Sequence, residues 1–170
     1  MTLSSRPADP PGPADRLRGA ESLPIAVIYA DFECPRCAFA WERIKDSQLR
    51  LGLRYFPVSS RHPRANAAAA AAEAAGRQDM FWEMVDLLFG DQGRLDDPHL
   101  WGRARDIGLD LEQFDRDRRS PEVESLIADS FRNAVRAGVM ATPTILVDDS
   151  LHQGVPDLGD VALWESGRSR

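Results

Sequence analysis

The chain has 170 residues, 43% hydrophobic and 28% charged, as expected of one soluble domain whose core needs no cystine staples. Its formal net charge of −6 argues against a nucleic-acid partner, because phosphate binding selects a cationic surface. The sequence has no Gly-rich phosphate loop and no carboxylates at calcium-loop spacing, so neither nucleotide nor calcium binding has support.

Residues 1–22 contain Pro7, Pro10, Pro11 and Pro13 and no apolar run, and read as a disordered lead-in without the apolar stretch of a secretory signal. No segment approaches the ~20 apolar residues of a membrane span. The expected location is the cytoplasm. There a structural disulfide is rare, and a close cysteine pair is more often catalytic, redox-sensing or metal-binding.

IAVIYAD, residues 25–31, is apolar and β-branched, the pattern of a strand covered on both faces. Residues 35–50 follow as a predicted amphipathic helix with Pro35 in its first turn and Phe39, Ile44 and Leu49 on its apolar side. Gly52 breaks that helix, and LGLRYFPV, ending near Val58, reads as a second strand, parallel to the first through a right-handed crossover.

Residues 63–138 are predicted helical, including the alanine-rich RHPRANAAAAAAEAAG. The last helix there has Ser120 as N-cap, Pro121 at its first position, and Leu126, Ile127, Phe131 and Val135 on one stripe. Residues 144–147 and 151–155 then flank an Asp148-Asp149-Ser150 turn as a hairpin, and DLGDVALWE closes the chain as a short helix. The predicted class is α/β: β-α-β, a helical insertion at 63–138, then β-β-α. A single domain is expected over residues 23–165, with a flexible tail at 166–170.

Both cysteines, Cys34 and Cys37, lie in DFECPRCAFAW, residues 31–41. A closed zinc site needs four ligands, and His62, His99 and His152 stand at no finger-like spacing, so no metal is assigned. His62 reads as a surface residue and His152 as a strand residue. The redox reading has a physical basis. A cysteine at a helix start faces unpaired N–H groups and the positive end of the helix dipole, which lower its pKa from ~8.5. Arg36 adds a cation, and Glu33 partly opposes it. Cys37, one turn inside, would stay shielded and protonated. Cys34 could then attack a disulfide and Cys37 release the mixed disulfide, with Pro35 and Arg36 tuning the pair.

YADFECPRC, the helical insertion and VMATPTILVDD resemble the DsbA-type branch of the thioredoxin superfamily. The resemblance implies a thioredoxin-like fold, a cis peptide between Thr142 and Pro143, and a substrate groove shaped by those two residues. It implies exchange with protein or peptide cysteines, an unidentified redox-recycling partner and no cofactor. FPVSSRHPRA is similar to a stretch of cytoplasmic thioredoxin-like domains fused after NhaA-type sodium/proton antiporters. The alternative reading is therefore a non-enzymatic redox-sensing or regulatory domain, such as one acting on a transporter.

The chain also departs from the pattern it resembles. Arg36 stands where DsbA oxidases commonly have His or Tyr, and Ile28 stands where thioredoxin-like reductases often have a buried acid. Asp31 and Glu33 read as solvated residues at a strand end. Trp41, Trp82, Trp101 and Phe81 read as packing residues, and DRDRR, residues 115–119, as a solvated helix end.

Overall fold

Among the described residues, five strands form one sheet: β1 (Leu17–Arg18), β2 (Ile25–Ala30), β3 (Arg50–Tyr55), β4 (Thr144–Val147) and β5 (Ser150–Gln153). Their order in this computed structural model, which describes residues 8–168, is β1-β3-β2-β4-β5. The apolar run of β2 takes the central place, where residues 26–30 are all buried. β2 runs parallel to β3 and antiparallel to β4, so Ile28 lies between Leu53 and Ile145.

Alternate residues of β2 feed two cores, as the pleat requires. Ala26, Ile28 and Ala30 join the large core under α1 (Pro35–Ile44) and the helical insertion. Val27 and Tyr29 join a smaller one with Phe56, Ala134 and Leu146.

Helix α1 ends at Ile44, short of the predicted residue 50. Its buried face is Cys37, Ala40, Trp41 and Ile44, an i, i+3, i+4, i+7 stripe. Phe39 is off that stripe and 67% exposed, contrary to expectation. Gly52 does not break a helix but sits inside β3, opposite Leu17. A Cβ there would lie 3.0 Å from Leu17 Cδ2 and 3.1 Å from Val27 Cγ2, so the glycine admits the close approach of its neighbours.

Between β3 and β4 come α2 (Ala65–Gly76), α3 (Phe81–Gly90), α4 (Asp97–Asp106), α5 (Leu111–Arg118) and α6 (Pro121–Arg136), within the predicted insertion. The alanines make α2 thin enough to be the centre of this subdomain, with Ala68, Ala71, Ala72, Ala74 and Ala75 all at 0% exposure. Helix α3 ties the subdomain to α1: Trp82 stacks on Trp41 at 5.8 Å, and Trp41 Nε1 donates to Asp86. Ser120 caps α6 by accepting from the Val123 N–H. The buried stripe of α6 is Val123, Ile127 and Ala134, while Leu126 and Val135 face outward. Arg118 in DRDRR is enclosed rather than solvated, its side chain 5% exposed between Asp97 and Asp115. The final helix, α7 (Leu158–Glu165), starts with a capping box between Asp157 and Asp160.

The expected disordered lead-in is also corrected. Residues 1–7 lie outside the described residues, but residues 9–18 are held by charged groups. Arg16 pairs with Glu73 at 2.7 Å, Arg18 with Asp86 at 2.8 Å, and Asp15 with Arg54 at 2.8 Å. Arg54 also donates to the carbonyls of Asp9 and Pro10. Of the expected tail, residues 169–170 lie outside the described residues. The Gly167 and Arg168 N–H groups bond back to the end of α7. Among the described residues no helix is long and apolar enough to cross a membrane.

Candidate active site

β2 ends at Ala30 and passes into α1 through Asp31, Phe32, Glu33 and Cys34. Cys34 is the N-cap of α1, with extended φ/ψ of −78° and 117°, and Pro35 occupies the first turn, where its missing N–H costs nothing. The Cys34 carbonyl accepts the first helical N–H groups, from Cys37 at 3.0 Å and Ala38 at 3.3 Å. Both cysteines are free thiols. Cys37 is wholly buried, while Cys34 keeps 7% exposure and is more enclosed than a bare helix start would be.

That enclosure comes from the far half of the chain. Pairing of Tyr29 with Thr144 brings the loop before β4 against the start of α1. The Thr142–Pro143 peptide is cis, and the Thr142 carbonyl oxygen lies 3.8 Å from Cys34 Sγ. The loop is held on both sides. Thr144 Oγ1 donates to the Ala141 carbonyl at 2.7 Å, and the Gly154 N–H donates to the Pro143 carbonyl at 2.8 Å.

The two sulfurs are in opposite electrostatic states. The Cys34 thiol is lowered to about 5, chiefly by a hydrogen bond from the Cys37 side chain, against the opposing effect of burial. The backbone N–H groups of Cys37 and Arg36 add to this, as a helix N-terminus does. Cys37 is driven the other way, by burial first and then by the neighbouring Cys34. Arg36 thus acts on Cys34 through its backbone N–H. Its guanidinium stands beside Gly154, where an added Cβ would meet it at 3.3 Å.

Asp31 overturns its sequence reading. It is 1% exposed, not solvated. Its carboxylate accepts the Glu33 N–H at 2.8 Å and the Val58 N–H at 2.7 Å, and lies 2.8 Å from His62 Nδ1. Its own N–H points at Cys37 Sγ at 3.5 Å. His62, read as a surface residue, is therefore the outer partner of a buried carboxylate. Glu33 Oε2 accepts the Arg64 N–H at 2.6 Å, so both acids fasten the 58–64 loop to the active-site turn. Gln92, which carried no motif in the sequence, reaches the same turn from the helical insertion.

Large apolar side chains are exposed on the loop before Thr142, on α1 and at the start of α7. Met140 is 86% exposed two residues before Thr142, and Phe39 is 67% exposed on the outer face of α1. Leu158 is 75% exposed at the start of α7, where Arg43 of α1 donates to the Pro156 carbonyl. Among the described residues no three His, Cys, Asp or Glu side chains converge as a metal site would require.

A family model described as DSBA-like thioredoxin domain matches residues 50–163. The chain belongs to this family. The match begins after Cys37, so it rests on β3, the insertion and the cis-proline half rather than on the cysteines.

A thioredoxin-like oxidoreductase from Silicibacter pomeroyi DSS-3 superimposes with a TM-score of 0.80 and 28% identity, over 92% of each chain. The thiol-disulfide exchange protein alpha-DsbA2 from Wolbachia pipientis shares the fold, with a TM-score of 0.77 and 23% identity, covering 86% of this chain and 83% of that one. The thioredoxin-like DsbA fold, with the helical insertion between β3 and β4, follows from these likenesses.

Among curated relatives, the Na(+)/H(+) antiporter NhaA of Herminiimonas arsenicoxydans is 37% identical over 170 residues, 95% of this chain and 27% of that protein. The Na(+)/H(+) antiporter NhaA 1 of Salinispora arenicola (strain CNS-205) is 38% identical over 154 residues, 87% of this chain and 23% of that protein. The chain spans about a quarter of the length of these relatives.

Proposed function

We propose that this domain is a thiol–disulfide oxidoreductase that exchanges a Cys34–Cys37 dithiol/disulfide with cysteines of protein or peptide substrates. The observation that carries the reading is the opposed state of the two sulfurs at the start of α1, one lowered to about 5 and the other raised by burial. The Cys34 thiolate attacks one sulfur of a substrate disulfide. The substrate S–S bond breaks, one substrate thiolate leaves and is protonated, and a Cys34–substrate disulfide forms. Cys37 then gives up its proton and attacks Cys34 Sγ, and the second substrate thiolate leaves. Two electrons have passed from the pair to the substrate, and Cys34–Cys37 is a disulfide. The reverse sequence oxidises a substrate dithiol. A second thiol–disulfide partner returns the pair to its starting state, and no cofactor is required.

Thr142 and Pro143 form the substrate groove in this reading. An extended peptide would lie beside the loop as an added strand and bond to its backbone. Met140, Phe39 and Leu158 would supply apolar contact for an unfolded segment. In a cytoplasmic setting, which the sequence reading favours, the pair would rest in the dithiol state.

The test is reduction of insulin disulfides and oxidation of a dithiol peptide, wild type against Cys34→Ser. Wild-type rates above background that vanish in the variant are expected, and equal background rates in both would overturn the proposal. A second reading, a redox-sensing domain acting on a transporter, draws on the antiporter names of the curated relatives. It predicts binding to a membrane transporter that changes with the state of the pair, and no peptide turnover.

A further inference from the structure

We propose that Gln92, in the loop between α3 and α4, is a positioning residue for Cys34, through which the helical insertion sets the reactivity of the redox pair. The proposal rests on the reading of Cys34 as the attacking thiol. Gln92 Nε2 donates to the carbonyl oxygen of Phe32 at 2.8 Å and to that of Cys34 at 2.9 Å. Two carbonyl acceptors can be served only by the NH2 end of the amide, so the side chain has one orientation and both its protons are in use. The two carbonyls flank Glu33, on the turn that converts β2 into α1. Holding both fixes that turn. The Cys34 oxygen is also the acceptor from which the first turn of α1 is built.

Gln92 is itself held in place. Arg103 of α4, a residue 8% exposed, donates to the carbonyl of Asp91 at 2.7 Å and to the carbonyl of Arg94. These acceptors bracket Gln92 on either side, and Leu95 anchors the loop in the core. A continuous strut therefore runs from Arg103 through the 91–94 loop to the N-cap of α1. It connects residues 58 positions apart in the chain, Gln92 and Cys34.

The strut bears on reactivity for two reasons. Carbonyl oxygens carry partial negative charge, and a donor that occupies two of them beside Cys34 reduces their repulsion of a thiolate. The N–H groups of Arg36 and Cys37 favour the thiolate only while the first turn keeps its geometry. Removing the amide loosens that turn and uncovers the carbonyls. A carboxylate at position 92 would set acceptor against acceptor.

The experiment follows thiolate absorbance at 240 nm against pH in the full chain, for wild type, Gln92→Ala, Gln92→Met, Gln92→Glu and Gln92→Lys. Gln92→Met keeps the length without donors, and the ammonium of Gln92→Lys restores donors that reach two carbonyls. The Ala and Met variants are expected to raise the Cys34 pKa by about one unit, a roughly tenfold loss of thiolate below it. Glu should raise it further, and Lys should stay near wild type. Rates of mixed-disulfide formation below the wild-type pKa should fall in the same order.

Folded Ala and Met variants that titrate with wild type overturn the clamp, whatever their melting temperatures. If Gln92→Ala fails to fold, the comparison of Met with Lys decides alone: equal pKa values in those two overturn the proposal. Wild-type Cys34 titrating near ~8.5 would sink the exchange reading and the clamp together, whereas a low wild-type value with unmoved variants sinks the clamp alone.

Discussion

Cys34 Sγ lies 3.8 Å from the carbonyl oxygen of Thr142, 108 residues further along the chain. The contact exists because β2 and β4 are neighbours, so the end of one strand and the start of the other deliver their loops to one place. Cys34 at that junction retains some exposure, whereas Cys37 one helical turn away has none. The two cysteines are therefore unequal before any substrate arrives.

That inequality predicts a trapping result. Cys37→Ser should accumulate a mixed disulfide with an oxidised peptide through Cys34, because nothing remains to resolve it. Cys34→Ser should accumulate far less, since Cys37 is both buried and held protonated. Non-reducing gels with mass spectrometry of the adduct read the outcome. Equal adduct from both variants would overturn the assignment of roles.

Asp31 is predicted to be a main support of the site. Its carboxylate is fully buried and accepts two backbone N–H groups, with His62 as a third partner. Asp31→Ala leaves the Glu33 and Val58 N–H groups without their acceptor, at a cost of about 3 kcal/mol, since hydrogen bonds to charged groups contribute roughly 1.5–3 kcal/mol each. Asp31→Asn should fall between, because its single oxygen cannot replace both oxygens of the carboxylate. Urea denaturation measures both, and a loss below roughly 1 kcal/mol for the alanine variant would contradict this account.

Asp31 also marks the limit of what the sequence reveals. The strand–helix–strand unit, the insertion and the final hairpin were legible because each writes its own local pattern: the apolar run of 25–31, the alanines of α2, the Ser120-Pro121 cap. The burial of Asp31 was not, because its partners Val58 and His62 stand 27 and 31 residues away and carry no motif. Phe39 shows a different limit. Helical spacing gives a period, but the phase of α1 is set by what covers Trp41 and Ile44, so the exposed aromatic could not be placed. The Pro-rich start misled for a third reason. Composition measures apolar content, while residues 9–18 are anchored by ion pairs and backbone carbonyls.

One such pair makes a third prediction. Glu73, its side chain 4% exposed, accepts two bonds from Arg16 at 2.7 and 2.9 Å and one from the Tyr55 hydroxyl at 2.9 Å. Burial raises the Glu73 carboxyl, but hydrogen bonding and charge from Arg16 more than offset it, so the group ends below the usual range. Breaking a buried pair costs about 3–5 kcal/mol, and the partial exposure of Arg16 reduces this to about 2–3 kcal/mol for Glu73→Ala. Because the folded pKa is depressed, the contribution is complete above the ordinary carboxyl value of ~4.3 and disappears as pH falls through the folded value. The stability gap between wild type and Glu73→Gln should therefore narrow in acid. A gap that stays constant from neutral pH to pH ~3 would show that the charge of Glu73 adds nothing.

The last prediction couples redox state to pH. In the reduced protein Cys34 titrates at about 5, against ~8.5 in the unfolded chain. The folded value is depressed, so the thiolate's contribution is complete above pH ~8.5 and is lost as pH falls towards about 5, at about 1.4 kcal/mol per pH unit. Cys37 acts in the opposite sense. Burial keeps its thiol protonated in the fold, while the unfolded chain releases that proton above pH ~8.5, so alkali destabilises the reduced form. The disulfide form has neither thiol, and the loop it closes is too short to gain much entropy. Reduced-minus-oxidised stability should therefore rise from pH 5 to about 8.5 and turn down beyond it. Matched urea titrations of the two forms across pH 5–10 test this; Cys34→Ser, which has only a thiol form, should lose the rise that reduced wild type shows over that range. Parallel curves for the two forms, with Cys34 alkylation titrating near ~8.5, would mean an unactivated thiol and would shift the balance to the redox-sensing reading.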